Sequence, residues 1–157
     1  MVRGWVLALT GKASEAVQVI TAAITASRSI GATVYTPVHL SNLARAHAQL
    51  DQWDDAWGSI GQAMTAIETT GERWFEAEVH RIAGEIALMT PKPDVAKAQV
   101  YFERALAVAQ SQHAKSWELR AAMSMARLWR DQGKREEARD LLARSTAGLP
   151  RASIRSI

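Results

Sequence analysis

Few side chains in this sequence have the type and spacing to do chemistry. Its four histidines are His39, His47, His80 and His113. His39 and His47 are eight residues apart and would share one face of a helix, but a metal site needs further close ligands, and none accompanies them. Thr10-Gly11-Lys12-Ala13-Ser14 has some residues of a phosphate-binding loop. It lacks the upstream glycine and the preceding strand that such a loop requires, and it reads instead as a turn. The carboxylate pairs Asp54-Asp55 and Glu136-Glu137 stand where helices should begin, where negative charge complements the helix dipole. No Ser or Thr is marked as a nucleophile by a nearby base and orienting group. With no cysteine there is no disulfide, thiolate metal site or cysteine nucleophile. The expectation is a non-catalytic chain with no cofactor and no metal.

The elements that would position any such residues are helical. Hydrophobic residues make up 48% of the 157, enough to build a core. Ala, Leu, Arg, Gln and Glu dominate, and all favour helix. The four prolines, Pro37, Pro91, Pro93 and Pro150, fall at breaks between apolar periodic segments, and no stretch alternates as a strand would. The N-terminus is a poor signal peptide and no run approaches a membrane span. A cytoplasmic setting without membrane contact is expected. The net charge of +3 is uneven: residues 1–114 carry nine Lys/Arg and eleven Asp/Glu (−2), and residues 115–157 carry ten and five (+5). A basic end could favour acidic partners or nucleic acid, but an ordinary solvated Arg-rich helix surface is the preferred reading.

One pattern recurs four times: a small residue, an apolar residue four later, and a small residue three after that. It occurs at Ala16/Ile20/Ala23, Ala56/Ile60/Ala63, Ala98/Phe102/Ala105 and Ala138/Leu142/Ser145, spaced 40, 42 and 40 residues apart. These spacings put each set on one helical face, where small residues admit a second helix backbone. Eight residues after the second small residue come Gly31, Gly71 and His113, where a left-handed residue should stop the helix. Four further on come Tyr35, Phe75 and Trp117. Turn residues Gly11-Lys12, Asp51-Gln52, Pro91-Lys92-Pro93-Asp94 and Gly133-Lys134 precede the helices that carry the pattern. The predicted helices are 2–10, 13–30, 34–50, 53–70, 73–89, 94–112, 115–132 and 135–146, arranged as antiparallel pairs. No pair can bury its apolar face alone, so neighbours must stack.

These residues resemble the tetratricopeptide repeat. The resemblance rests on Met125-Ala126, Trp129, Gly133, Ala138 and Leu142 in the last unit, and on Leu40, Leu43-Ala44, His47, Ala56, Ile60 and Ala63 in the second. In the third unit the first helix is shifted by about two residues, with Gly84 at the close-contact position. The implied fold is all-α, an α-solenoid of about four such hairpins with a period near 40 rather than the usual 34. Residues 1–147 would form the repeat domain and 148–157 an irregular tail. The run from Thr70 to Arg81, with Phe102-Glu103-Arg104-Ala105-Leu106, is similar to the C-terminal repeat regions of large bacterial signalling proteins. In those, a nucleotidyl cyclase or DNA-binding domain and a predicted ATPase domain precede the repeats. The resemblance implies a regulatory or scaffolding segment that binds a protein, a peptide or other domains of its parent chain.

In this family the first helix of each pair lines the inner face. The repeat phase makes Ser41, Asn42, Arg45 and Gln49, then Glu78, Arg81 and Glu85, then Arg120, Met123, Arg127 and Arg130 the candidate contact residues. Asn42 stands where members that clamp a peptide carboxylate carry Asn, but the lysine partners of that clamp are absent. Arginines at helical spacing would hold acidic groups through paired bonds; a solvated helix face is the plainer reading. Six tryptophans are many for this length, and Trp5, Trp117 and Trp129 fall at packing positions. Trp53, Trp57 and Trp74 are candidates for a contact surface. Two alternatives stand beside the interaction reading: self-association through an uncapped first unit, and nucleic-acid binding through the Arg-rich last unit, the less favoured.

Both ends depart from the pattern. Gly4 and Leu7 already occupy mid-helix positions, so a preceding repeat is expected in a longer parent. At the other end the pattern stops at Leu142, and Ser145 replaces the expected alanine. Codons compatible with Ala143 to Ile157, read two bases later, encode PIYGWFTEGFDTVD, similar to the ending of the signalling group. Residues from about Arg144 onward are therefore expected to derive from a shifted frame.

Overall fold

A computed structural model describes residues 12–147. Among these residues there are seven helices and no strand: α1 (Ala13–Ser29), α2 (Thr36–Ala48), α3 (Trp53–Thr70), α4 (Glu76–Met89), α5 (Val95–Ser111), α6 (Lys115–Asp131) and α7 (Arg135–Thr146). The sequence places all seven within three residues. Helices α2 and α4 begin two and three residues later than expected because Tyr35 and Phe75 still belong to the preceding turns. Pro37 sits in the first turn of α2, where its missing amide leaves no bond unmade. The expected helix 2–10, Trp5, and the tail at 148–157 lie outside the described residues. Arg144–Thr146, the start of the proposed frame-shifted segment, continue α7, with Ser145 buried.

The stops fall where the repeat spacing puts them. Gly71 (φ 72°) and His113 (φ 52°) both adopt the left-handed conformation, although only the glycine reaches it without a Cβ penalty. Asp94 caps α5 by accepting a bond from the Lys97 amide at 2.9 Å.

Consecutive helices pack against each other throughout, and α4 also touches both α2 and α6. Short connections between packed helices reverse the chain direction. The recurring small–apolar–small faces form the seams. Ala16, Ala56, Ala98 and Ala138 are buried, as are Ala63, Ala105 and Ser145 at the third position, while Ala23 is half-buried. Helix α4 carries Gly84 against α5. A Cβ built on Gly84 would lie 2.7 Å from Cδ1 of the buried Phe102 ring, so the two helices approach through the missing side chain. The aliphatic core around Ile20, Ile60, Ile67, Ile82 and Ile86 spans α1 to α4. A second cluster, with Phe102, Met125, Leu128 and Leu141, joins α4 to α7. Burying each such side chain contributes about 1.5–3 kcal/mol.

Candidate protein-interaction surface

Helices α2, α4 and α6 carry the predicted contact residues, apart from Gln49 just past the end of α2, and the structure divides those residues into three groups. Ser41 and Asn42 are buried and bond back to their own helix: the Ser41 hydroxyl donates to the Val38 carbonyl at 3.1 Å and the Asn42 amide donates to the same oxygen at 2.8 Å. Asn42 therefore has its amide committed within α2 and does not present it as a clamp would.

The second group is an ionic network across the three helices. Arg81 grips Glu78 through Nε···Oε2 at 2.8 Å and Nη2···Oε1 at 2.7 Å, and both side chains are buried. Arg81 also bonds Glu85, and its Nη1 reaches the Ser124 hydroxyl of α6 at 3.2 Å. Arg120 of α6 donates to Glu78 at 2.6 Å, and Arg45 of α2 donates to Glu85 at 3.1 Å. Burial alone lowers the Arg81 pKa, but the bonds and charges of Glu78 and Glu85 outweigh it and the net shift is upward. Arg45 shifts the other way: burial dominates, Glu85 offsets it only in part, and the Arg81 charge adds to the lowering. Paired and hydrogen-bonded in this way, the charges hold the helices in one register. They are engaged within the chain.

The third group faces water. Gln49 is exposed, Met123 is half-buried, and Arg127 and Arg130 are exposed on α6, where Arg130 pairs with Asp131. Arg127 has no carboxylate partner among the described residues.

An aromatic row runs along the starts of α2, α4 and α6. Tyr35 meets Trp74 edge-on at 6.0 Å, Trp74 meets Phe75 at 5.2 Å, and Phe75 meets Trp117 at 5.4 Å. Phe75 is buried, whereas Tyr35 and Trp74 are each more than 40% exposed, so Trp74 is the exposed tryptophan among the described residues. Trp53 is half-buried against the core. Trp57 stacks on Tyr101 at 5.8 Å beneath Lys97, which ties α3 to α5.

His39 is buried and His47 is half-buried, with its Nδ1 2.7 Å from the Gln52 side-chain oxygen. Among the described residues no three His, Asp or Glu side chains gather as metal ligands. No described helix is long and apolar enough to cross a membrane.

Neither a family model nor a curated protein matches this chain.

The periodicity of single helices missed the network, because it cannot say whether an exposed-looking charge meets water or the next helix. The signal was present in another form. Arg45 and Glu85 are 40 residues apart and Glu78 and Arg120 are 42 apart, so opposite charges one repeat period apart mark partners across the stack.

Proposed function

We propose that the chain is a non-catalytic protein-interaction module of tetratricopeptide type, an α-solenoid whose inner layer is α2, α4 and α6. The observation that carries this reading is positional equivalence. Residues one period apart do the same job in successive pairs: small residues close the helix seams, a left-handed residue stops the helix, and an aromatic opens the next one. The buried charges of α4 are paired within the stack and the arginines of α6 leave a basic surface, which supports binding through shape and surface charge. The resemblance of the Thr70–Arg81 run supports a cytoplasmic regulatory or scaffolding role within a signalling ATPase or cyclase-like parent.

Photo-crosslinking in cells tests the reading. A crosslinking amino acid placed at Arg120 or Arg127 should capture one common partner protein, while the same residue at Glu103 or Gln110 on the exposed side of α5 should not. Identical capture from both sides, or capture from neither, would overturn it. Capture of a second copy of this chain would replace it with self-association.

A further inference from the structure

The groove between α6 and α7 differs from its counterpart one period earlier in a way that specifies a ligand. This inference rests on the interaction reading and names the partner's chemistry. In the earlier pair, a cavity of about 410 Å³ has Glu85, Leu88, Val95 and Phe102 of α4 and α5 on one side, and Ser124, Arg127 and Leu128 of α6 on the other. Helix α6 is thus the occupant of the α4/α5 groove. The matching groove on α6 and α7 encloses about 420 Å³ and has no helix among the described residues lying in it.

Its floor is conserved in character. Ala126 stands one period after Gly84, Ala138 after Ala98, and Leu142 after Phe102, and all three line the groove. Its rim is inverted. Glu85, Leu88, Val95 and Gln99 are succeeded by Arg127, Arg130, Arg135 and Arg139 at spacings of 42, 42, 40 and 40. One negative and three neutral residues become four positive ones, a change from −1 to +4. All four arginines are exposed and line the groove. Arg127, Arg135 and Arg139 have no carboxylate partner among the described residues. The acidic residues of α7, Glu136, Glu137 and Asp140, do not line it.

We infer that this groove seats an amphipathic helix of a partner protein, with an apolar stripe on the Ala126–Ala138–Leu142 floor and carboxylates against the four arginines. An apolar floor with a planar, bidentate cationic rim favours a carboxylate-bearing helix over a purely aliphatic one. Residues 148–157 carry Arg151 and Arg155 and no Asp or Glu, so charge complementarity disfavours that segment as the occupant.

The test is a binding titration with a defined probe. The probe is a fluorescein-labelled peptide copying residues 115–131 with Arg120→Glu, Arg127→Glu and Arg130→Glu, compared with the unsubstituted copy. The full chain should bind the acidic peptide about tenfold more tightly than the basic one. It should lose about tenfold in affinity with Arg135→Glu/Arg139→Glu, and weaken as salt rises from about 0.05 to 0.5 M. The variant's circular dichroism melt should be unchanged, since both arginines are exposed. Equal binding of the two peptides, or binding indifferent to the charge reversal, would overturn the inference. So would displacement of the peptide by an equimolar DNA duplex, or dimerisation of the chain that Arg135→Glu/Arg139→Glu abolishes. If the crosslinks from Arg120 persist while the acidic peptide fails to bind, this groove assignment falls and the interaction reading stands.

Discussion

Arg81 and Glu78 form a two-bond ion pair one turn apart on α4, and the pair is hidden from water although both residues lie on the helix predicted to face a partner. The pair anchors charges reaching in from α2 and α6, and so it joins the helices of three successive hairpins.

Removing one member strands the other. Arg81→Met should destabilise the chain by about 1–3 kcal/mol, because the buried Glu78 loses its two-bond partner and keeps only the half-exposed Arg120. Glu78→Leu combined with Arg81→Met should be less damaging than the two single effects added together. Urea unfolding of the four proteins gives the cycle. Simple additivity would mean that the Glu78–Arg81 bonds contribute no coupling within α4.

Gly84→Ala sets two effects against each other. Alanine favours helix by about 1 kcal/mol over glycine, but its methyl group would strike the buried Phe102 ring. Overpacking should win, with a net loss of about 1–3 kcal/mol, and Phe102→Leu in the Gly84→Ala background should recover part of it. Ala63→Leu and Ala105→Leu, at fully buried seam positions, should lose a similar amount. Thermal melts showing stabilisation by Gly84→Ala would refute the close approach.

The helix stops predict opposite signs at equivalent positions. His113 is left-handed at φ 52°, so His113→Gly should stabilise by about 0.5–1 kcal/mol. Gly71→Ala, at φ 72°, should destabilise by about 1 kcal/mol. Chemical denaturation midpoints resolve both.

Acid should weaken the fold through His80. Burial, reinforced by the charges of Arg104 and Arg73, pushes its imidazole down to about 4, and its Nδ1 has no hydrogen-bond partner among the described residues. The unfolded chain takes up this proton near pH 6.5, while the folded chain resists until about pH 4. Stability is therefore full above about 6.5 and falls through that window, by at most about 3 kcal/mol. His80→Phe should flatten the decline between those values in pH-dependent melts, leaving a smaller slope from His39, whose pKa burial also lowers. An unchanged slope would show that His80 does not titrate with unfolding.

What the sequence revealed depended on the range of the physics involved. Helix positions, the seams at Ala63 and Ala105, and the stops at Gly71 and His113 follow from local spacing and backbone sterics, and they were readable. The burial of Ser41, Asn42, Glu78 and Arg81 follows from which helix lies alongside, and one helix's periodicity does not contain that. The groove residues Arg135 and Arg139 were also overlooked. Reading each helix alone treats them as a solvated face, whereas comparison with Val95 and Gln99 one period earlier exposes the change of charge.

If successive helix pairs are equivalent units, one can be removed whole. Gly31 and Gly71 are both left-handed stops 40 residues apart, so deleting residues 32–71 joins Gly31 directly to Glu72 and lets α1 take the place of α3 beside α4. The shortened chain keeps the Glu78–Arg81–Arg120 bonds and the groove between α6 and α7. Its circular dichroism melt should retain the helical signal per residue and a single cooperative transition, while deletion of residues 32–61, ten residues short of one period, joins Gly31 to the middle of α3 and should lose both. A non-cooperative melt of the in-phase deletion, or equal behaviour of the two deletions, would contradict the repeat architecture on which the interaction role depends.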